Sequence, residues 1–172
     1  MIAIYSLFLL LFLSYCYFFQ NPWNWNSIPR VALGISLIEE SSLNINKFHL
    51  ATVDIALYQG NYYSDKAPGM AFSALPAISA SKLYLDSNRH NYKWINDNGK
   101  VTSSFVFVAL IATIATSGLL TALAGAALFF VAIKLGAGPG GAFGALAFGL
   151  ATPAWGWSTA FFGHAPAGSV YS

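Results

Sequence analysis

Charge in this chain is confined to one window. All six acids and seven of the eight basic residues lie between Arg30 and Lys100, and after Lys134 no charge appears up to Ser172. Residues 1–29 hold no ionisable side chain other than Tyr5, Tyr15, Cys16 and Tyr17, and residues 101–133 hold no charge. A spanning helix needs about 20 mostly apolar residues, and a charge at its centre costs roughly 2.5–3.5 kcal/mol. Two long charge-free runs behind an apolar N-terminus therefore specify an integral membrane protein. Only 8 % of the residues are charged, against roughly 25 % in a soluble domain. A net charge of +2 with no basic block gives no footing for nucleic acid as a partner. The single cysteine, Cys16, can form no internal disulfide.

This pattern predicts an all-α membrane protein, with about three transmembrane helices and a large extracytoplasmic loop carrying short juxtamembrane helices. The first span is residues 1–20. A cleaved signal peptide would want a basic start and small residues before the cut. Bulky Tyr15, Tyr17, Phe18 and Phe19 favour a retained anchor instead. Trp23 and Trp25 follow at once, as in an interfacial aromatic belt. The loop takes in residues 21–101. Asn26 or Ser27 can cap a helix there, Pro29 suits its first turn, and Ile28, Val31, Ile35 and Ile38 fall on one face. That pattern predicts a short helix on the membrane surface. Glu39 and Glu40 end it, against the dipole; either they are solvated or a cation or substrate group offsets them.

Gly60-Asn61 marks a turn, and Pro68 opens a further helix that Pro76 is expected to kink or split. With Lys82 inside it, this segment reads as a surface or re-entrant helix. Residues 86–100 read as a polar loop. The second span is residues 102–134 and the third residues 140–162, with 163–172 as an outer tail or truncation point. Ser117, Gly118, Ala122, Gly125 and Ala126, and the pair Gly140 and Gly144, offer small surfaces for close helix packing. Lys134, in the short turn between spans, places that turn in the cytoplasm by the positive-inside rule. The N-terminus is then cytoplasmic as well.

Chemistry is expected where the polar window is densest in functional groups, at Tyr62-Tyr63-Ser64-Asp65-Lys66-Ala67-Pro68-Gly69. Asp65 is either a carboxylate at the positive end of the helix that Pro68 opens, worth about 0.3–1 kcal/mol, or a reactive acid. Asp54, between Val53 and Ile55, is a surface acid or a partly buried, perturbed one. Lys66 and Arg30 either snorkel to lipid headgroups or meet a phosphate. Tyr62 and Tyr63 are interfacial aromatics or stacking platforms for a sugar. His49, His90 and His164 are too scattered for metal ligands, although His164, at the outer end of a span, can approach the loop. No Gly-x-Ser-x-Gly elbow supports a hydrolase, and the glycine-rich turn at Gly136 lacks the Gly-Lys-Ser/Thr of a phosphate loop.

Gly60 to Gly69 resembles the "G-x-Y-F-x-x-K-P-P" segment of membrane glycosyltransferases of the GT-C fold, in the bacterial branch that holds the lipid A aminoarabinose transferases and protein mannosyltransferases. Arg30-Val31-Ala32 through Ile38-Glu39-Glu40-Ser41 looks like the helix that follows their catalytic acid. Phe161-Phe162-Gly163-His164 is similar to the outer end of their third span. The resemblance covers most of residues 20–164 and is most specific at 60–69. Where that family carries its acid, this chain has Asn26, Ser27, Ile28 and Pro29.

The resemblance implies sugar transfer from a polyprenyl-phosphate-linked sugar to an acceptor outside the cytoplasm, in the bacterial inner (plasma) membrane. Asp65 and Asp54 would be the catalytic candidates. Lys66, Arg30, Tyr62, Tyr63 and His164 would bind substrate. A divalent cation is compatible with that chemistry, and none is required. The family has more spans than the three readable here, so the chain is expected to be the N-terminal portion of such a protein or a shortened descendant. The competing expectation is a non-catalytic small membrane subunit, packed against other helices in a larger complex. Membrane lipids are partners in either case.

Overall fold

The computed structural model describes residues 1–88 and 91–171. The chain is 65 % helical, as an all-α class requires, and divides into two compact units. One combines Met1–Gln20 with Ile114–Ser172; the other is Asn21–Thr113. The helices are α1 (Ile2–Tyr17), α2 (Ile28–Glu40), α3 (Gly69–Asn88), α4 (Ser103–Thr113), α5 (Leu119–Lys134), α6 (Gly138–Ala151), α7 (Pro153–Ser158) and α8 (His164–Tyr171). A wider π turn, Ile114–Gly118, joins α4 to α5. Together they form an unbroken helix, Ser103–Lys134, of 32 residues and mean hydropathy 2.2. At 1.5 Å per residue it is about 48 Å long, which is long and apolar enough to cross a membrane. The apolar helices α1 and α6, of 16 and 14 residues, are shorter.

The apolar unit is built on close approach. Leu11 of α1 is fully buried, and a Cβ placed on Gly125 of α5 or on Gly149 of α6 would come within 2.5 Å of its methyl carbons. Glycine at these two positions is what lets the helices meet. Tyr15 Oη donates to the Gly149 carbonyl at 3.0 Å, and Trp155 Nε1 donates to Ser14 Oγ at 3.1 Å. Thr152 Oγ1 caps α7 by accepting from Ala154 N, with Pro153 at the first helical position. The sequence reading gave one helix across this stretch; the chain breaks it at Thr152-Pro153, because proline cannot donate into a continuing helix.

In the polar unit α2 is a core helix. Eight of its thirteen residues are buried, Val31, Ala32 and Ile35 among them, so the stripe predicted for a lipid surface is taken up inside the protein. Met70, Ala71, Ala74 and Ile78 of α3 and Phe105, Val108, Ala109 and Ala112 of α4 are buried in the same unit. α3 is one helix of 20 residues with Pro76 inside it, where a kink or a split into two short helices was expected. The loop also contains an antiparallel hairpin, β1 (Ile55–Tyr58) and β2 (Asn61–Ser64), paired Ile55 to Ser64 and Tyr58 to Asn61. Its turn is Gln59-Gly60, both at positive φ (48° and 77°), as a two-residue hairpin turn of matching twist demands. This is one residue earlier than the Gly60-Asn61 turn read from the sequence.

Candidate functional site

The hairpin builds the first charged cluster. Its paired strands end at Ile55 and Ser64, and Asp54 and Asp65 flank those two ends. Like charges so placed repel, and Lys66 answers both. Its Nζ lies 3.0 Å from Asp54 Oδ2 and 3.0 Å from Asp65 Oδ2. These two contacts, Asp54 first, raise the Lys66 pKa. Arg30, from the first turn of α2, supplies the second positive charge. Burial pulls its guanidinium below the ordinary value, while the fields of Asp65 and then Asp54 pull it back up. Its Nη1 donates to the backbone and side-chain oxygens of Asn26, and its buried Nε has no partner. Four of the predicted residues, Asp54, Asp65, Lys66 and Arg30, are thereby brought into one electrostatic group with two charges of each sign.

The tyrosines sit apart from each other. Adjacent residues on a strand face opposite ways, so Tyr62 and Tyr63 do not form a single platform. Tyr62 stacks on His49, ring centroids 4.8 Å apart and planes 9° from parallel. Its backbone N–H donates to Asn46 Oδ1 at 2.7 Å. Tyr63 pairs with Ala56 and bridges to Asn44. His164 belongs to the other unit, where it opens α8 with its ring 5.1 Å from that of Trp157. It lies on a largely apolar cleft of about 310 Å³ with Phe148 and Thr152. His90 lies outside the described residues. Among the described residues no three metal-ligating side chains converge.

A second cluster grows from the pair of acids for which the sequence left open either solvation or an offsetting cation. Glu39 and Glu40, at the C-terminus of α2, are offset from within the chain. Lys47 Nζ lies 3.0 Å from Glu39 Oε2 and 2.6 Å from Glu40 Oε1. Trp94 Nε1 donates to Glu39 Oε1 at 3.0 Å, and Lys82 stands 3.9 Å from the same oxygen while pairing with Asp86 at 2.7 Å. Tyr92 Oη donates to Asp86 Oδ1 at 2.7 Å. These groups apart from Glu40, together with Lys93, line an open cleft of about 490 Å³. Hydrogen bonds from Lys82 and then Tyr92 lower the Asp86 pKa; burial first, then Asp86, raises that of Tyr92. The signal available beforehand was the mismatch itself, two carboxylates at the negative end of a helix with no base in its last turn.

Both clusters set carboxylates beside cations. A carboxylate within hydrogen-bond reach of a hydroxyl can take its proton, and adjacent cations can hold a departing phosphate. Comparison with family models, with curated proteins and with solved structures finds no match.

Proposed function

We propose that this chain carries the N-terminal portion of a membrane glycosyltransferase of the GT-C kind, moving a sugar from a polyprenyl-phosphate carrier to an acceptor outside the cytoplasm. The observation that carries this reading is the gathering of Asp54, Asp65, Lys66 and Arg30 by the hairpin register and α2. Asp65, the more exposed carboxylate, orients and deprotonates the acceptor hydroxyl. Asp54 holds Lys66, and Lys66 with Arg30 faces the carrier phosphate. Residues 1–20, 102–134 and 140–162 span the bacterial inner membrane, the N-terminus is cytoplasmic, and residues 21–101 lie on the outer side. The long apolar helix Ser103–Lys134 supports that placement.

The test is sugar transfer in the intact membrane protein. Asp65→Asn is expected to lower kcat by about 10²–10⁴ with carrier binding retained, and Lys66→Gln to weaken carrier binding. Full turnover in Asp65→Asn and in Asp54→Asn would remove the reading. One observation favours a second one, a non-catalytic subunit in a larger membrane complex. A Cβ on Gly140 or Gly144 meets nothing within 4 Å, which leaves an open small-residue face for another helix. Gly140→Leu then breaks a complex and leaves transfer untouched; the enzyme reading expects no loss of a partner.

A further inference from the structure

The polar unit displays an apolar groove that neither cluster uses. Trp23 and Trp25 are each 62 % exposed there, and Leu50 is 72 % exposed. With Asn98 and Lys100 they surround a space of about 370 Å³. Lys100 is the one charged group among the described residues lining it, and no carboxylate is present.

These side chains stand on fixed backbone. Thr52 Oγ1 donates to the Trp25 carbonyl at 3.0 Å. The turn that carries Lys100 is tied by Asn96, whose Oδ1 accepts from Asn98 N at 3.0 Å and Lys100 N at 2.9 Å. Gly99, at φ 74°, lies so close that a Cβ would come within 2.9 Å of Leu50 Cβ. Exposure of large apolar groups on an ordered frame is display for a partner.

We infer that this groove is where the polar unit seats on the bilayer, with Trp23, Trp25 and Leu50 at the headgroup–acyl boundary and Lys100 on an anionic lipid phosphate. Two observations select lipid as the occupant. A lysine that is the one charged group among the described residues of its groove complements an anionic surface, and indole rings prefer the interface, with one side apolar and the other wet. The chain path agrees. Trp23 follows the apolar α1 by six residues, and Lys100 precedes the 32-residue apolar helix by three. The groove is thus built largely from the two ends of the polar stretch 21–101. The inference shares the membrane placement of the glycosyltransferase reading and none of its transfer chemistry, so a failed transfer assay leaves it standing.

The test uses the full chain in phosphatidylcholine vesicles, with and without phosphatidylglycerol. A nitroxide is placed at Leu50→Cys, or in a parallel variant at Trp25→Cys, on a Cys16→Ser background. The reference is Asp97→Cys, whose native side chain is 94 % exposed. The expected result is a several-fold higher ratio of oxygen to nickel-chelate collisions at positions 50 and 25 than at 97. Lys100→Glu should narrow that gap in the phosphatidylglycerol vesicles and leave it unchanged in phosphatidylcholine alone. Equal ratios at all three positions overturn the inference. So does protection accompanied by label–label dipolar broadening, the mark of a second copy seated on the groove.

Discussion

The two charged clusters of the polar unit use the same residue types and are assembled in opposite ways. Asp54, Asp65 and Lys66 lie within thirteen residues of chain and meet because a two-residue turn folds them together. Glu39 instead gathers donors from three other segments: Lys47 near a short 3₁₀ turn, Lys82 on α3 and Trp94, 55 residues away. Ordering distant chain has a larger entropic penalty than ordering a hairpin, so the Glu39 network is the one whose loss the fold registers. The hairpin group, closed by a local turn and partly exposed, can be altered with little consequence for folding.

The largest expected effect follows from this contrast. Glu39→Ala strands Trp94 Nε1, a donor on a buried side chain, and an unsatisfied buried donor costs about 1–3 kcal/mol. Thermal unfolding in detergent should show that loss. Glu39→Gln keeps an acceptor for the indole and should recover most of it, because Lys47 retains Glu40 and Lys82 retains Asp86. If Glu39→Gln is as damaging as Glu39→Ala, charge rather than the indole bond holds the network and the contrast must be redrawn.

Differences of chain separation also explain what could be read in advance. That Asp54 and Asp65 flank one hairpin was within reach of simple counting, since both are equidistant from the Gln59-Gly60 turn. The sequence marked a turn at Gly60-Asn61 but no strands on either side of it, so the hairpin that gathers the two acids was not foreseen. The Glu39–Trp94 bond had no such local rule behind it. Local rules fixed the start of α2 at Ile28 with Pro29 in its first turn, but not whether its apolar stripe met lipid or protein. Pro76 was expected to kink α3 or divide it into two short helices, and the helix runs undivided from Gly69 to Asn88. With Ala74 and Ile78 on either side of it buried in the unit, packing outweighs a proline penalty of about 3 kcal/mol.

Between these extremes lies a pH effect of the Glu39 cleft, to which Lys66 of the hairpin adds on the alkaline side because its pKa is also raised. The Tyr92 pKa is raised by burial and then by Asp86, and that of Lys47 is raised by its bond to Glu40 before other causes. In both cases the folded state holds the proton more tightly than the unfolded chain. Their contribution is therefore complete below about pH 10 and is lost as pH rises through the folded values. Asp86 runs the other way. Its lowered pKa contributes above its ordinary value and is lost as pH falls through the folded one. Tyr92→Phe should flatten the alkaline limb of a stability–pH curve and, by removing one donor to Asp86, soften the acid limb. An unchanged alkaline limb would assign that side of the curve to the lysines.

The smallest stability effect belongs to Lys66→Gln, and it is the most informative about the comparison. Lys66 and both of its acids are partly exposed, and ion pairs of that kind contribute about 0–1 kcal/mol. Melting should barely move. Yet the substitution leaves Asp54 and Asp65 with Arg30 as the remaining cation of the group. In the parent, a titration of the lysine side chains should show Lys66 holding its proton above the ordinary lysine value, since both carboxylates raise it. An unaltered melt alongside a raised Lys66 titration shows charge coupling at the hairpin without a folding role. A large fall in melting temperature would instead make the hairpin cluster a structural clasp of the Glu39 type, and the difference between the two regions would disappear.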